Sequence, residues 1–254
     1  MLIRRSCVED KFRRGLSRRK PTPRQAVDFS VLNQVGLNRQ AVLNVADLPA
    51  EMQASLAAEF DLSHYRQIVL IAHAGRRLWE ALSSAGLAHE AHPIDVFSQQ
   101  HALAWFARQF PQQQAELLYP GDRPIGLQAL GKLAGWHHAS PMMIGIDAHW
   151  GTWFAYRVAL LTTTDLPITQ PDNSVHPCAA CADAVCRRSC PADALSADGF
   201  QLSRCIAERT RDHSPCADRC LARLACPVGA EHRYELAQIQ HSYTRSLAMI
   251  KHYF

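Results

Sequence analysis

Residues 178–191 read Cys-Ala-Ala-Cys-Ala-Asp-Ala-Val-Cys-Arg-Arg-Ser-Cys-Pro, and residues 216–227 read Cys-Ala-Asp-Arg-Cys-Leu-Ala-Arg-Leu-Ala-Cys-Pro. The first run is Cys178-x2-Cys181-x4-Cys186-x3-Cys190-Pro191, the second Cys216-x3-Cys220-x5-Cys226-Pro227, and Cys205 stands between them. Eight of the chain's nine cysteines are spent here. Two sets of four thiolates suit two [4Fe–4S] clusters, each held at its four iron corners. In two-cluster ferredoxins the Cys before Pro serves the other cluster. The expected sets are therefore crossed: Cys178, Cys181, Cys186 and Cys226 on one cluster, Cys190, Cys205, Cys216 and Cys220 on the other. The spacing departs from bacterial ferredoxins, because four residues separate Cys181 from Cys186 where two are usual. Two other chemistries use such cysteines. Structural zinc takes four thiolates in Cys-x2-Cys pairs, and His176, His213 and His232 are near enough in sequence to serve as ligands. The four cysteines of residues 178–190 and the proline closing each run speak for clusters instead. Disulfides need an oxidising compartment, and the Arg-rich N-terminus shows no apolar segment of a secretion signal.

At 254 residues and 48% hydrophobic the chain can hold one large domain and a small one. No stretch approaches the roughly 18–20 apolar residues of a membrane span, so a cytoplasmic protein without a membrane partner is expected. The net charge of +4 hides an asymmetry. Residues 1–24 set nine basic residues against Glu9 and Asp10, a net of +7, which leaves −3 on the remainder. This segment reads as a basic, disordered arm, with RNA phosphates, tRNA among them, as the functional alternative.

Outward from the cysteines, residues 165–177 are a turn-rich linker and 235–250 a closing helix. Upstream, strands are expected at 40–46, 67–72, 116–119, 143–148 and 153–164, the last two around a turn at His149-Trp150-Gly151. Helices are expected at 50–59, 78–85, 95–109 and 124–134. This order gives an α+β class. The expected organisation is an arm at 1–24, an α/β domain at 25–168, a ferredoxin-like domain at 169–234 and a helix at 235–254.

Three further segments carry a resemblance. Lys132-Leu-Ala-Gly135, Gly151-Thr-Trp-Phe154 and Thr163-Thr-Asp-Leu-Pro167 precede the cysteine runs in an order that resembles the epoxyqueuosine reductases over residues 115–230. That resemblance implies a nitroreductase-like domain binding cobalamin, followed by a two-cluster ferredoxin domain, and reduction of an epoxide on a tRNA wobble base. The family's general acid is an Asp in an Asp-Ser-Ala-Pro segment. The nearest counterpart is Asp122-Arg-Pro124, one residue out of phase and without Ser-Ala. The strand Gly151-Thr-Trp-Phe-Ala-Tyr-Arg157 is also similar to that of the cobalamin-processing (cblC-type) family, where the arginine helps to hold glutathione near the corrinoid. Arg157 is thereby a candidate anion ligand, and epoxyqueuosine reductases lack it.

The resemblance implies an iron–sulfur oxidoreductase that passes electrons from two [4Fe–4S] clusters to a bound corrinoid. The expected donor is an external carrier of flavodoxin or ferredoxin type, or glutathione. A non-enzymatic electron carrier or cobalamin-trafficking protein is the alternative, and a zinc-stapled nucleic-acid binder is a third class. Around the corrinoid, Asp122 is the candidate proton donor, and Trp136, His137, Trp153 and Arg157 are candidate cofactor contacts. The competing roles are a turn residue for Asp122, core aromatics for the tryptophans and a pocket wall for the histidine. A structural ion pair with Asp147 or Asp165 competes for Arg157. Asp147 and His149, two apart near a strand end, share a face and read as a candidate acid–base pair.

Overall fold

A computed structural model describes residues 27–88, 92–122 and 125–254; the expected arm at 1–24 lies outside them. The centre is β2 (Gln67–Ala74), Gln-Ile-Val-Leu-Ile-Ala-His-Ala, buried at every residue. A strand of this kind needs neighbours on both edges and layers on both faces. β1 (Arg39–Asn44) and β6 (Phe154–Thr162) flank it, β3 (Ala115–Tyr119) lies beyond β6, and every pairing is antiparallel. With period-2 alternation, Val69 and Ile71 of β2 and Val158 and Leu160 of β6 face one side. There they meet α1 (Ser30–Gln34), α3 (Arg77–Ser84) and α4 (Pro93–Gln109), which contribute Leu32, Leu78, Phe97 and Trp105. Ile68, Leu70, Ala159 and Leu161 face the other side, under α2 (Ala50–Ala57) and α5 (Leu127–Leu133). The class is α+β, a helix–sheet–helix sandwich.

One irregularity re-aims the site. Ile71 pairs with Val158, but Ala72 pairs with Tyr156, so Arg157 is an extra residue in β6. Such a bulge reverses the alternation beyond it. Tyr156 consequently joins the α5 side with Ala159 and Leu161, where a regular strand would point it to the α4 side.

The expected strand at 143–148 does not form opposite 153–164. Only Gly145–Ile146 (β5) is extended, and it pairs with His138–Ala139 (β4) in a separate ribbon. The reason is the turn that follows. Asp147 Oδ1 accepts the backbone N–H groups of His149 and Trp150 at 2.9 and 2.8 Å. Its Oδ2 takes Arg39 of β1 at 2.5 Å. That carboxylate is a turn anchor, and no acid–base pair with the His149 ring forms.

Beyond Thr162 the chain runs irregularly to α6 (Val185–Arg188), the ribbon β7 (Leu195–Ser196) with β8 (Gly199–Phe200), α7 (Leu202–Thr210), α8 (Leu221–Ala225) and α9 (Leu236–Tyr253). The expected closing helix extends three residues further. The two halves meet backbone to backbone. Gly151 has φ +59°, and a Cβ there would stand 1.9 Å from the carbonyl oxygen of Val228, just after Cys226-Pro227. Only glycine satisfies both conditions. Across this seam Arg223 of α8 donates to the Thr152 carbonyl at 2.6 Å and stacks on Trp153 at 4.4 Å. Arg76 likewise donates to the carbonyls of Arg233 and Glu231.

Candidate functional site

The eight cysteines of residues 178–226 are all free thiols. They sort into two groups by the charges they sense. Burial first raises the Cys178 thiol, and the nearness of Cys226, Cys186 and Cys181 raises it further. Burial also raises Cys205, with Cys220, Cys190 and Cys216 as its thiol neighbours. Cys226 senses Cys186 and Cys181, and Cys216 senses Cys220 and Cys190. The groups are Cys178, Cys181, Cys186, Cys226 and Cys190, Cys205, Cys216, Cys220. Among the described residues no three His, Cys, Asp or Glu side chains close around a point as a single-ion site.

Cys190, Cys205, Cys216 and Cys220 all line one cavity of about 150 Å³, walled otherwise chiefly by apolar groups such as Met142, Ile144, Leu195 and Phe200. Backbone N–H groups point at several sulfurs: Ala194 donates to Cys190 Sγ at 3.4 Å, Leu221 to Cys216 and Val228 to Cys226. Hydrogen bonds of this kind stabilise thiolate and tune a cluster's potential.

A second cavity of about 380 Å³ opens where β6, α5 and β5 converge on α8. Its wall includes Tyr119, Leu127, His137, Ile144, Phe154, Tyr156, Arg157 and Arg223. Its size is within the range of small-molecule sites. Ile144 lines both cavities, so the cleft and the cavity of the Cys190 group share one wall residue. No Asp or Glu is among its described lining residues, while Arg157 and Arg223 are.

Of the candidates from sequence, His137 and Arg157 reach this cleft. Arg157, the bulge residue, donates from Nε to His73 Nδ1 at 2.9 Å and lies 3.6 Å from Asp95. Its carboxylate partner is thus Asp95 of α4, not Asp147 or Asp165. His73 is wholly buried, and burial, then Arg157, then Arg223 hold its pKa well below the usual histidine value. Burial also lowers His137, with Lys132 and His138 adding to it, and raises Tyr156. Trp136 lies beneath Arg39, 4.6 Å from the ring, in the sheet core, and Trp153 beneath Arg223. Neither is on the cleft wall. Asp122 is exposed and also outside the cleft lining, and its neighbours 123–124 lie outside the described residues.

The sequence reading missed Tyr156 and Arg223. Tyr156 is brought in by the bulge and Arg223 arrives from the cysteine region, so neither carried a local signal.

No family model and no curated protein matches the chain. Solved structures do. An epoxyqueuosine reductase with an epoxyqueuosine-modified tRNA stem loop is similar at 13% identity over 82% of this chain and 66% of that one, TM-score 0.50. A selenomethionine-labelled epoxyqueuosine reductase matches at 12% identity over 82% and 66%, TM-score 0.51. The catabolic reductive dehalogenase NpRdhA, in complex with 3-bromo-4-hydroxybenzoic acid, matches at 13% identity over 84% and 33%, TM-score 0.50. The chain thus spans about two-thirds of the first protein type and a third of the second. With helices on both faces of an antiparallel sheet and a cysteine-rich tail packed against its end, this chain has the fold of the epoxyqueuosine reductases and the reductive dehalogenases.

Proposed function

We propose that the protein is a corrinoid-linked iron–sulfur reductase. The observation that carries the reading is the pair of thiol groups, the second walling a cavity that shares Ile144 with the cleft. In this reading Cys178, Cys181, Cys186 and Cys226 hold one [4Fe–4S] cluster, Cys190, Cys205, Cys216 and Cys220 the other, and residues 169–234 act as the ferredoxin-like unit. Cobalamin, the cofactor implied by the sequence resemblance, would be held by the cleft residues Phe154, Leu127 and Arg157. When bound, these groups would supply one-electron transfer from potentials that reach about −700 mV and a strongly reducing cobalt centre. The chain's own residues do the rest. Phe154, Ile144 and Leu127 exclude water from the cleft, and Arg157 and Arg223 favour anionic groups there. The N–H donors to Cys190, Cys216 and Cys226 tune the clusters.

Anaerobically purified protein is expected to be brown, with visible absorbance that bleaches on reduction and about eight irons per chain. Addition of hydroxocobalamin should shift the corrin spectrum to a base-off form. A colourless protein with stoichiometric zinc, or an unshifted corrin spectrum at excess cofactor, rejects the reading.

A tRNA substrate is the second reading. It is supported by the similar reductase seen with a tRNA stem loop and by the basic residues 1–24. Against it stands Asp122, the nearest counterpart of the family's acid, which is exposed and not among the described lining residues of the cleft. Removal of residues 1–23 that abolishes binding of a tRNA stem loop would favour this reading. A pure electron carrier would need no cleft, and the described one argues for a substrate.

A further inference from the structure

We propose that Tyr156, seated against His137, is the proton donor of the cleft. The inference rests on the reductase reading and adds the acid that reading lacks. A substrate that gains an electron pair must also gain a proton. The described cleft lining offers Tyr119, His137 and Tyr156 as titratable groups with a proton to give, and no carboxylate.

The geometry singles out one pair. Tyr156 Oη lies 3.2 Å from His137 Nδ1, and both line the cleft. Two glycines from different elements make the seat. A Cβ on Gly131 of α5 would stand 1.8 Å from Tyr156 Oη, and one on Gly145 of β5 would stand 2.5 Å from His137 Nδ1. Neither has a positive φ, so these glycines supply room and not a special backbone conformation. The bulge at Arg157 supplies the third condition, because it turns Tyr156 toward α5. Three separate features of the backbone therefore converge on one hydroxyl.

The proton accounting is simple. With His137 carrying its proton on Nδ1, the ring donates to Oη and the hydroxyl's own proton is free to point into the cleft. That proton leaves Oη for the reduced substrate atom, the Nδ1 proton follows to Oη, and Nε2 takes one from solvent. Both electrons come from the clusters, which draw them from an external low-potential electron carrier. Burial disfavours the phenolate of Tyr156 and the charged form of His137.

Nitrogen NMR of histidine-labelled holoprotein with its clusters oxidised reads the tautomer directly. His137 is expected to carry its proton on Nδ1, and the Tyr156→Phe variant to lose that preference. A proton on Nε2 in the unaltered protein commits the hydroxyl to the ring and overturns the proposal. The second measurement uses holoprotein loaded with hydroxocobalamin, reduced by titanium(III) citrate and freed of excess reductant. Solvent protons are then the only acceptor, two protons and two electrons yielding each hydrogen molecule. Per bound corrinoid, Tyr156→Phe and Gly131→Ala should each slow hydrogen release by about a hundredfold, the lower range for a lost general acid. An unchanged rate in Tyr156→Phe overturns the proposal. Failure of the unaltered protein to bind hydroxocobalamin overturns the reductase reading, and the tautomer alone then decides the fate of the pair.

Discussion

Strand β2 is buried at all eight of its residues, and the two layers over its sheet hold Leu, Ile, Val, Phe and Trp side chains in two extensive cores. Between Cys178 and Cys226 the described buried residues are only Ala194, Leu195, Arg209, Ser214, Cys216, Ala222 and Cys226. The longest helix of that stretch is the nine-residue α7. One region can pay its conformational entropy by burying apolar surface. The other buries little, and on the proposed reading bonds from its thiolates to a shared centre would hold its conformation. The contrast teaches that the two halves should fail under different treatments.

Iron removal is the sharpest break and should have the largest effect. Stripping the clusters by oxidation and chelation should leave amide protection in β2 and β6 intact. Hydrogen exchange measured by mass spectrometry should show 178–226 exchanging freely. Equal protection in both regions would mean that the cysteine half is self-supporting. The reciprocal test is Leu70→Ala, which empties a fully buried position in the central strand. It should cost about 2–5 kcal/mol, read as a lower denaturation midpoint, while the iron content of the remaining folded protein stays unchanged. Gly151→Ala tests the seam. Its left-handed φ and the nearby Val228 carbonyl make a loss of more than about 1 kcal/mol expected. Exchange should rise first at Thr152–Trp153 and at residues 227–234.

Acidification should give the mildest effect, again at the seam. Burial, then Arg157 and Arg223, hold the His73 pKa in the folded state well below the usual histidine value. The unfolded chain binds that proton near the ordinary value of about 6.5. Below that pH the unfolded state takes up more protons, so stability is lost as pH falls from about 6.5 toward the lowered folded value. His73→Gln should flatten this slope in denaturation midpoints collected across the same window.

Much of this was legible in order along the chain. Gln67-Ile-Val-Leu-Ile-Ala72 reads as a buried strand because its apolar run is short and continuous, and the structure extends it by two residues to Ala74. The helix expected at 95–109 begins at Pro93, two residues earlier. The strand expected at 143–148 fails because a polar anchor, Asp147 with Arg39, outweighs the apolar pattern of Ile144 and Ile146. Arg39 lies 108 residues away, and no local rule can see it.

The same division holds for the site. Thiol number, spacing and the closing prolines are local facts, and sulfur chemistry restricts what eight such groups can bind, so the cluster expectation needed no coordinates. The cleft is a different matter. It is assembled from a one-residue bulge in β6, two glycines without side chains, and an arginine from α8. Its chemistry depends on how far apart in sequence those pieces start and how close the packed layers bring them. Composition and periodicity carry no record of that distance, and only the folded chain decides it.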